Sequence, residues 1–301
     1  MPTVPAIYKQ LCPAKANLFL HIKGKRADGY HILESLVTFA DFGDELTFEP
    51  GVANEPGAKD LSLDIDGQYA TELAKFALGD NLIIRAAKAF EHRFELKVCG
   101  KFNLQKNLPL ASGIGGGSAN AAMAIKLLKQ AYDQHGDVDE MLLALGADVP
   151  VCYGAENSLM TGIGERLEKW RNLPKLNAIL VNPNEAVSTA KIFGRLNASA
   201  QLDDYEFVGK DAPTFKTAQD LVGFLQLQTN DMQAAAVAIC PAIGNVLAEL
   251  NAINDIMLSR MSGSGATCFG LFTNQSEAEL AARKLANRHP NWWIQPTTFS
   301  G

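Results

Sequence analysis

A glycine-rich segment that leads into the most regular helical pattern of the chain constrains its fold most strongly. The segment reads Pro109-Leu-Ala-Ser-Gly-Ile-Gly-Gly-Gly-Ser-Ala-Asn-Ala-Ala122. Over residues 118–134, apolar side chains recur every three or four positions, which predicts an amphipathic helix. Glycine costs about 1 kcal/mol relative to alanine in regular structure. Four glycines at a helix entry therefore favour a functional role over plain packing.

The segment has the properties of a phosphate-binding loop. Glycine lets backbone N–H groups approach an anion, and the start of the following helix adds about half a positive charge. Ser112 and Ser118 add hydroxyl donors. The third glycine of a dinucleotide fingerprint is absent, and neither G-x-x-x-x-G-K-[ST] nor G-x-S-x-G occurs. A glycine-rich helix entry that only packs closely is the structural alternative.

The charge balance argues against a protein whose main role is to coat nucleic acid or anionic membranes. The chain has 27 Lys and Arg against 33 Asp and Glu, a formal net charge of −6, whereas such proteins are usually basic. If the chain binds an anion, it must therefore do so at a local site rather than through its overall charge. No stretch approaches the roughly 20 apolar residues of a membrane span, and no secretion signal is recognisable, so we expect a cytoplasmic protein. The five cysteines show no metal-ligand spacing and are expected to be buried small hydrophobic residues.

Two charged residues stand in apolar surroundings. Lys15 begins an apolar strand and shares a face with Asn17, and Asp148 lies between a helix end and an apolar, strand-like stretch. Unpaired buried charge is unfavourable, so each residue is expected to have a partner. Two interpretations are equally good: a structural ion pair or capping Asp, and a Lys–Asp pair that orients and deprotonates a substrate hydroxyl.

Two further glycine turns are candidate binding elements. In Asp28-Gly-Tyr-His31, Tyr30 and His31 stand side by side, which suits contact with a planar base. The alternative is a solvent-exposed turn in which the hydrogen bonds of His31 are already made. The second turn, Met261-Ser-Gly-Ser-Gly-Ala266, precedes a predicted strand and either lines the phosphate site or is only a tight turn.

The order of the patterns favours an α+β fold, because helices and strands do not alternate regularly as in a doubly wound sheet. Segments 45–49 and 61–65 flank a loop rich in Gly, Pro and Asn and predict a hairpin-like antiparallel pair. At 301 residues the chain fits two domains, which we place at residues 1–168 and 169–301. The remaining predictions are strands at 16–23, 96–104, 178–181 and 267–272, helices at 81–93, 138–145, 233–239, 243–254 and 276–288, and an irregular connector at 197–220.

Taken together, these motifs resemble those of the GHMP (galactose, homoserine, mevalonate, phosphomevalonate) kinase superfamily. The turn with Tyr30 and His31 and the stretch around Asp148 resemble the members that phosphorylate 4-diphosphocytidyl-2-C-methyl-D-erythritol. The resemblance implies an N-terminal domain similar to ribosomal protein S5 domain 2 and a ferredoxin-like C-terminal domain. The segments that carry it are Pro13–Leu20, Arg26–His31, Pro109–Ala122, Leu145–Pro150 and Met261–Ala266.

The resemblance also implies a reaction and its residues. ATP would phosphorylate the 2-hydroxyl of that substrate, in the non-mevalonate isoprenoid pathway, with Mg²⁺ expected and Ser118 as a candidate ligand. Asp148 matches the catalytic base and Lys15 the catalytic lysine. The ATP-binding positions match Lys106, Pro109, Leu110, Ala111, Ser112, Gly113, Ile114, Gly115, Gly116, Gly117, Ser118 and Ala119, and the substrate-binding positions match Asn17, Tyr30 and His31. Phe193 is a further candidate for substrate binding, on the other side of the cytosine ring.

The chain departs from the family pattern at three positions. Ala119 and Cys12 stand where serine is usual, and Val37 stands where an aromatic residue is expected near the cytosine pocket. Three alternatives stay open: a kinase of the same superfamily for a small alcohol, a catalytically silent nucleotide-binding relative, and an RNA-associated protein. The Tyr-His pair, the presence of both charged residues and the net charge of −6, respectively, speak against them. A monomer and a homodimer are both compatible with the sequence.

Overall fold

Two long strands begin the described part of the chain and contribute residues to both of its compact units. The computed structural model describes residues 6–51, 60–196 and 213–300. Unit 1 comprises Met1–Ala14, Phe42–Leu110 and Gly115–Gly154, and unit 2 comprises Lys15–Asp41, Ala111–Ile114 and Ala155–Gly301. The units interleave along the chain, and the boundary expected between residues 168 and 169 stays a prediction.

Strands and helices are mixed in both units, which confirms the α+β class. The strands are β1 (Tyr8–Lys25), β2 (His31–Pro50), β3 (Ser62–Asp66), β4 (Gly100–Gln105), β5 (Ser158–Gly162), β6 (Arg166–Lys169), β7 (Leu176–Asn182), β8 (Ile256–Met261), β9 (Cys268–Phe272) and β10 (Trp293–Phe299). The helices are α1 (Ala70–Leu73), α2 (Leu82–Phe94), α3 (Gly116–Ala131), α4 (Asp139–Leu145), α5 (Val149–Gly154), α6 (Thr189–Phe193), α7 (Ala218–Gln226), α8 (Gln233–Ile239), α9 (Pro241–Asn251) and α10 (Gln275–Arg288). A 3-10 turn spans Leu78–Asp80.

In unit 1, helices α2 and α3 pack together beside a small sheet. The C-terminal half of β2 pairs antiparallel with β4, and β3 pairs parallel with the other edge of β4. The apolar face of α3 is buried along most of its length, as the sequence pattern predicts. Phe48 and Phe102 join the core, with ring centroids 4.5 Å apart.

The predicted hairpin between residues 45–49 and 61–65 is wrong, because β4 lies between β2 and β3. A parallel neighbour needs a long crossover, and α1 and α2 supply it between β3 and β4. The intervening loop at 50–60 is also longer than the two to five residues of a usual hairpin loop; its residues 52–59 lie outside the described part. The strand-like stretch after Asp148 is wrong too, because Val149–Gly154 is helix α5.

Unit 2 contains a β-α-β-β-α-β arrangement. Four antiparallel strands lie in the order β10-β7-β9-β8, with helices between β7 and β8 and α10 between β9 and β10. This is the strand order of a ferredoxin-like fold, as the resemblance implies. The N-terminal half of β2 pairs with β5, which continues to β6. The irregular connector predicted at 197–220 lies outside the described residues over 197–212, and its end forms the start of α7.

Two general expectations can be compared with the structure. All five cysteines are free and buried, as predicted. Among the described residues, no single helix is long and apolar enough to cross a membrane. The consecutive helices α8 and α9 reach the length and apolar composition of a membrane span only when they are taken together. The chain bends by 119° between them.

Candidate active site

The glycine-rich segment turns tightly before α3 because three of its residues adopt left-handed backbone angles. The φ angles are +46° at Ala111, +74° at Gly113 and +67° at Gly115. Gly115 caps the start of α3 and has no side chain to accept a hydrogen bond from the first turn of this helix. The N–H groups at this helix start are therefore suited to an external anion.

In unit 2, the second glycine turn packs directly against Gly113. A side chain begun at Gly113 would lie 2.6 Å from the Ser262 carbonyl oxygen and 2.7 Å from the backbone of Gly265, so only glycine fits. The Ser262 hydroxyl donates to the Gly113 carbonyl at 3.1 Å, and the Thr267 N–H donates to the Ser112 carbonyl at 3.1 Å. The second turn therefore contacts the glycine-rich segment, and its role in lining a phosphate site stays a prediction.

The same contacts join the segment to the strand that carries Lys15. The Lys15 N–H donates to the Ile114 carbonyl at 2.9 Å, and the Asn17 N–H donates to the Ser262 hydroxyl at 3.1 Å. The Asn17 amide nitrogen donates to the Ser35 hydroxyl at 2.7 Å, which fixes the orientation of the amide. Within the described residues, the buried Asn17 Oδ1 has no hydrogen-bond partner, and it can accept a hydrogen bond from a ligand.

The Tyr30–His31 turn brings one of these two side chains against Phe193. The His31 and Phe193 rings stack with centroids 4.8 Å apart, whereas Tyr30 is 61% exposed. Burial, and secondarily the Lys25 ammonium, lower the pKa of His31, so the neutral imidazole is favoured. In the part of the chain that the structure describes, the buried His31 Nε2 has no hydrogen-bond partner. Neutral His31 therefore offers an aromatic face and a free ring nitrogen. Val37, where the family pattern suggests an aromatic residue, is fully buried.

Lys15 and Asp148 belong to different units. Lys15 lies in β1 of unit 2 and is 3% exposed. Asp148 lies in unit 1 in the turn between α4 and α5, and its carbonyl accepts a hydrogen bond from the Cys152 N–H at 3.2 Å. Their cooperation in catalysis stays a prediction.

Lys106 is held within unit 1 by a residue that the sequence analysis did not identify. Its ammonium donates to the Asp44 carboxylate at 2.7 Å and to the Leu108 carbonyl at 2.6 Å. Burial lowers the pKa of Lys106, and the neighbouring Asp44 carboxylate acts in the opposite direction. Asp44 gives no distinct sequence signal, because it stands between Gly43 and Glu45 and looks like an ordinary charged residue. Direct contact of Lys106 with the nucleotide stays a prediction.

The described residues contain no group of three or more His, Cys, Asp or Glu side chains that could hold a metal ion. Mg²⁺ in kinases is held largely by phosphate oxygens and water with one or two protein ligands, so it does not need such a group. Ser118, half-buried in the first turn of α3, fits the role of one hydroxyl ligand.

Comparisons with known proteins agree over nearly the whole chain. Residues 81–160 match the model for the GHMP kinases N terminal domain, and residues 212–291 match the model for GHMP kinases C terminal. A 4-diphosphocytidyl-2-C-methyl-D-erythritol kinase of Dinoroseobacter shibae is 44% identical, over 95% of this chain and 93% of the relative. A protein of the same name from Paracoccus denitrificans is 43% identical, over 97% of this chain and 96% of the relative.

Two solved kinase structures also align with nearly the whole chain. The crystal structure of a 4-(cytidine 5'-diphospho)-2C-methyl-D-erythritol kinase is 26% identical and aligns with a TM-score of 0.75, covering 98% of this chain and all of that one. A homoserine kinase from Cytophaga hutchinsonii aligns with a TM-score of 0.67 at 14% identity, covering 100% of this chain and 96% of that one, which shows a shared fold only.

Proposed function

Because the chain belongs to the family of 4-diphosphocytidyl-2-C-methyl-D-erythritol kinases, within the GHMP kinases, we propose that it phosphorylates the 2-hydroxyl of 4-diphosphocytidyl-2-C-methyl-D-erythritol. It is an ATP-dependent kinase of a small molecule with the GHMP kinase fold. The proposed reaction belongs to the non-mevalonate route to isoprenoid precursors.

The observation that carries the substrate assignment is the stack of His31 on Phe193. An aromatic face beside an unpaired ring nitrogen suits a planar base, because the base can stack and also hydrogen-bond. Neutral His31 can present an N–H or a lone pair at Nε2, depending on its tautomer. A kinase for a small alcohol such as homoserine has no base to bind and does not need this arrangement.

For the phosphoryl donor, the proposal relies on the glycine-rich segment. The backbone N–H groups at the start of α3 would bind the ATP phosphates, and the helix dipole would add favourable electrostatics. Glycine at Gly115 and Gly116 lets phosphate oxygens approach the main chain. Bound Mg²⁺ would neutralise charge on the β- and γ-phosphate oxygens.

For the acceptor, Asp148 would take the proton of the 2-hydroxyl as the new P–O bond forms. Lys15 would offset negative charge on the transferring group. Phosphoryl transfer passes through a loose transition state, so most of the acceleration comes from positioning and charge stabilisation. A base of this kind typically contributes about 10²–10⁴-fold.

Two measurements test the proposal. Phosphorus NMR of the product should show a new monophosphate on the 2-hydroxyl while the diphosphate bridge stays intact; phosphate at another hydroxyl contradicts the regiochemistry. Asp148→Asn should lower kcat by about 10²–10⁴-fold and leave ATP affinity nearly unchanged. Asp139→Asn, on the neighbouring helix α4, is the matched control. An unchanged kcat in Asp148→Asn contradicts its role as the base.

A further inference from the structure

The buried ion pair of unit 1 supports an inference that rests on the proposed function and extends it. We propose that Asp44 is a positioning residue for ATP binding, which fixes the segment 106–108 where the chain enters the glycine-rich loop. The carboxylate does not need to touch the nucleotide to do this. It acts through the groups that it holds.

Both carboxylate oxygens of Asp44 are used. Oδ2 accepts from the Lys106 ammonium at 2.7 Å, while Oδ1 accepts from the N–H groups of Asn107 at 2.7 Å and Leu108 at 2.8 Å. Asp44 is completely buried. Hydrogen bonds to an ionised, buried acceptor are among the stronger ones in proteins, so they determine the path of the chain just before Pro109.

The same contacts place a fixed positive charge beside the helix start. Lys106 Nζ lies 3.5 Å from the point where a side chain at Gly116, the first residue of α3, would begin. Its second bond, to the Leu108 carbonyl, leaves it little freedom to move. The ammonium therefore adds to the positive end of the α3 dipole at a defined position, and that position depends on Asp44.

Backbone hydrogen bonds that do not involve Asp44 also hold the end of β4. The Lys106 N–H donates to the Asp66 carbonyl at 2.7 Å, and the Lys106 carbonyl accepts from the Tyr69 N–H at 3.3 Å. These backbone bonds hold the end of β4 against the β3 side of the sheet. A buried ion pair is also no more stabilising, as a rule, than apolar residues of the same size. We therefore assign the hydrogen bonds of Asp44 to the loop entry.

The test is Asp44→Asn in the full chain, with the ATP dissociation constant measured by calorimetry and with steady-state kinetics for both substrates. We expect the ATP dissociation constant and the KM for ATP to rise about tenfold or more. The KM for the alcohol substrate should change by less than about twofold. A purely structural role would shift both KM values together, and an unchanged ATP affinity would overturn the proposal.

Asp41→Asn is the matched control, since Asp41 lies on the same strand and accepts bonds from the Thr297 hydroxyl at 2.5 Å and the Thr298 N–H at 2.9 Å. It should leave ATP affinity unchanged; an equal loss in this control would overturn the specific role of Asp44.

If Asp44→Asn does not fold, the double variant of Asp44→Leu with Lys106→Met removes both charges and the carboxylate acceptor. It is compared with Lys106→Met alone. The double variant should bind ATP about tenfold more weakly, because Asn107 and Leu108 have lost their acceptor. Equal binding would show that Asp44 only balances Lys106, which overturns the proposal. Binding of ATP alone does not depend on the alcohol, so a wrong substrate assignment would leave this comparison intact.

Discussion

The two units hold their parts of the glycine-rich loop by different physical means. In unit 1, the loop entry is held by ionised groups, with a buried carboxylate that accepts from an ammonium and from two backbone N–H groups. In unit 2, Gly113 is held by neutral groups, namely the Ser262 hydroxyl and the close backbone of the second glycine turn. The part of the loop in unit 1 therefore has a charged support, and the part in unit 2 has an uncharged one that determines the local shape.

The strongest test of the uncharged support is Gly113→Val. The left-handed backbone and the contacts at 2.6–2.7 Å leave no room for a branched side chain, so we expect a loss of about 3 kcal/mol or more in the free energy of unfolding. Urea denaturation measures it. Gly223→Val is the control, since a side chain at Gly223 would meet open space. If Gly113→Val is as stable as the wild type, close packing around Gly113 does not hold the loop in unit 2.

A milder change, Ser262→Ala, removes one hydroxyl that bridges the Asn17 N–H and the Gly113 carbonyl. Because Ser262 is fully buried, the two backbone groups lose a partner, and we expect about 1–3 kcal/mol of destabilisation. The comparison control is Ser158→Ala, which removes a single bond to the Glu156 carbonyl. If both variants lose the same stability, the bridging role of Ser262 is not supported.

The smallest expected effect concerns the neutral state of His31. Burial and the Lys25 ammonium lower the pKa of His31 in the folded protein, so the unfolded chain takes up its proton first as the pH falls. The stability from His31 should be complete above its ordinary pKa of 6.5 and should decrease as the pH falls below it. NMR titration should show a higher pKa of His31 in Lys25→Met. Lys9→Met, whose partner is Glu45, is the control; an identical His31 titration in the wild type and Lys25→Met would exclude the influence of Lys25.

Local features of the structure could be predicted from the sequence because they depend on neighbouring residues. The stripe of α3, the exact bounds of α8 and the glycine loop all follow from spacing and side-chain type. The apolar residues 149–154 were misread, since a short apolar run does not distinguish a strand from a helix. Strand β10 has little alternation and contains Pro296, so it gave no clear signal.

Contacts between distant segments could not be predicted in this way. The pairing of β3 with β4 depends on a crossover, and its direction is not encoded in either strand. Asp44 and Lys106 are 62 positions apart, and each alone looks like an ordinary charged residue next to a strand. The stack of Phe193 on His31, 162 positions earlier, is likewise visible only in the folded chain.

The most direct test of the account is release of ADP by the purified protein with ATP and Mg²⁺. The assay compares 4-diphosphocytidyl-2-C-methyl-D-erythritol with homoserine and mevalonate, and a His31→Ala variant is assayed in parallel. The account predicts turnover with the cytidyl substrate alone, and a higher KM for that substrate, but not for ATP, in the variant. Turnover with homoserine or mevalonate, or a His31→Ala variant that raises only the KM for ATP, would contradict it.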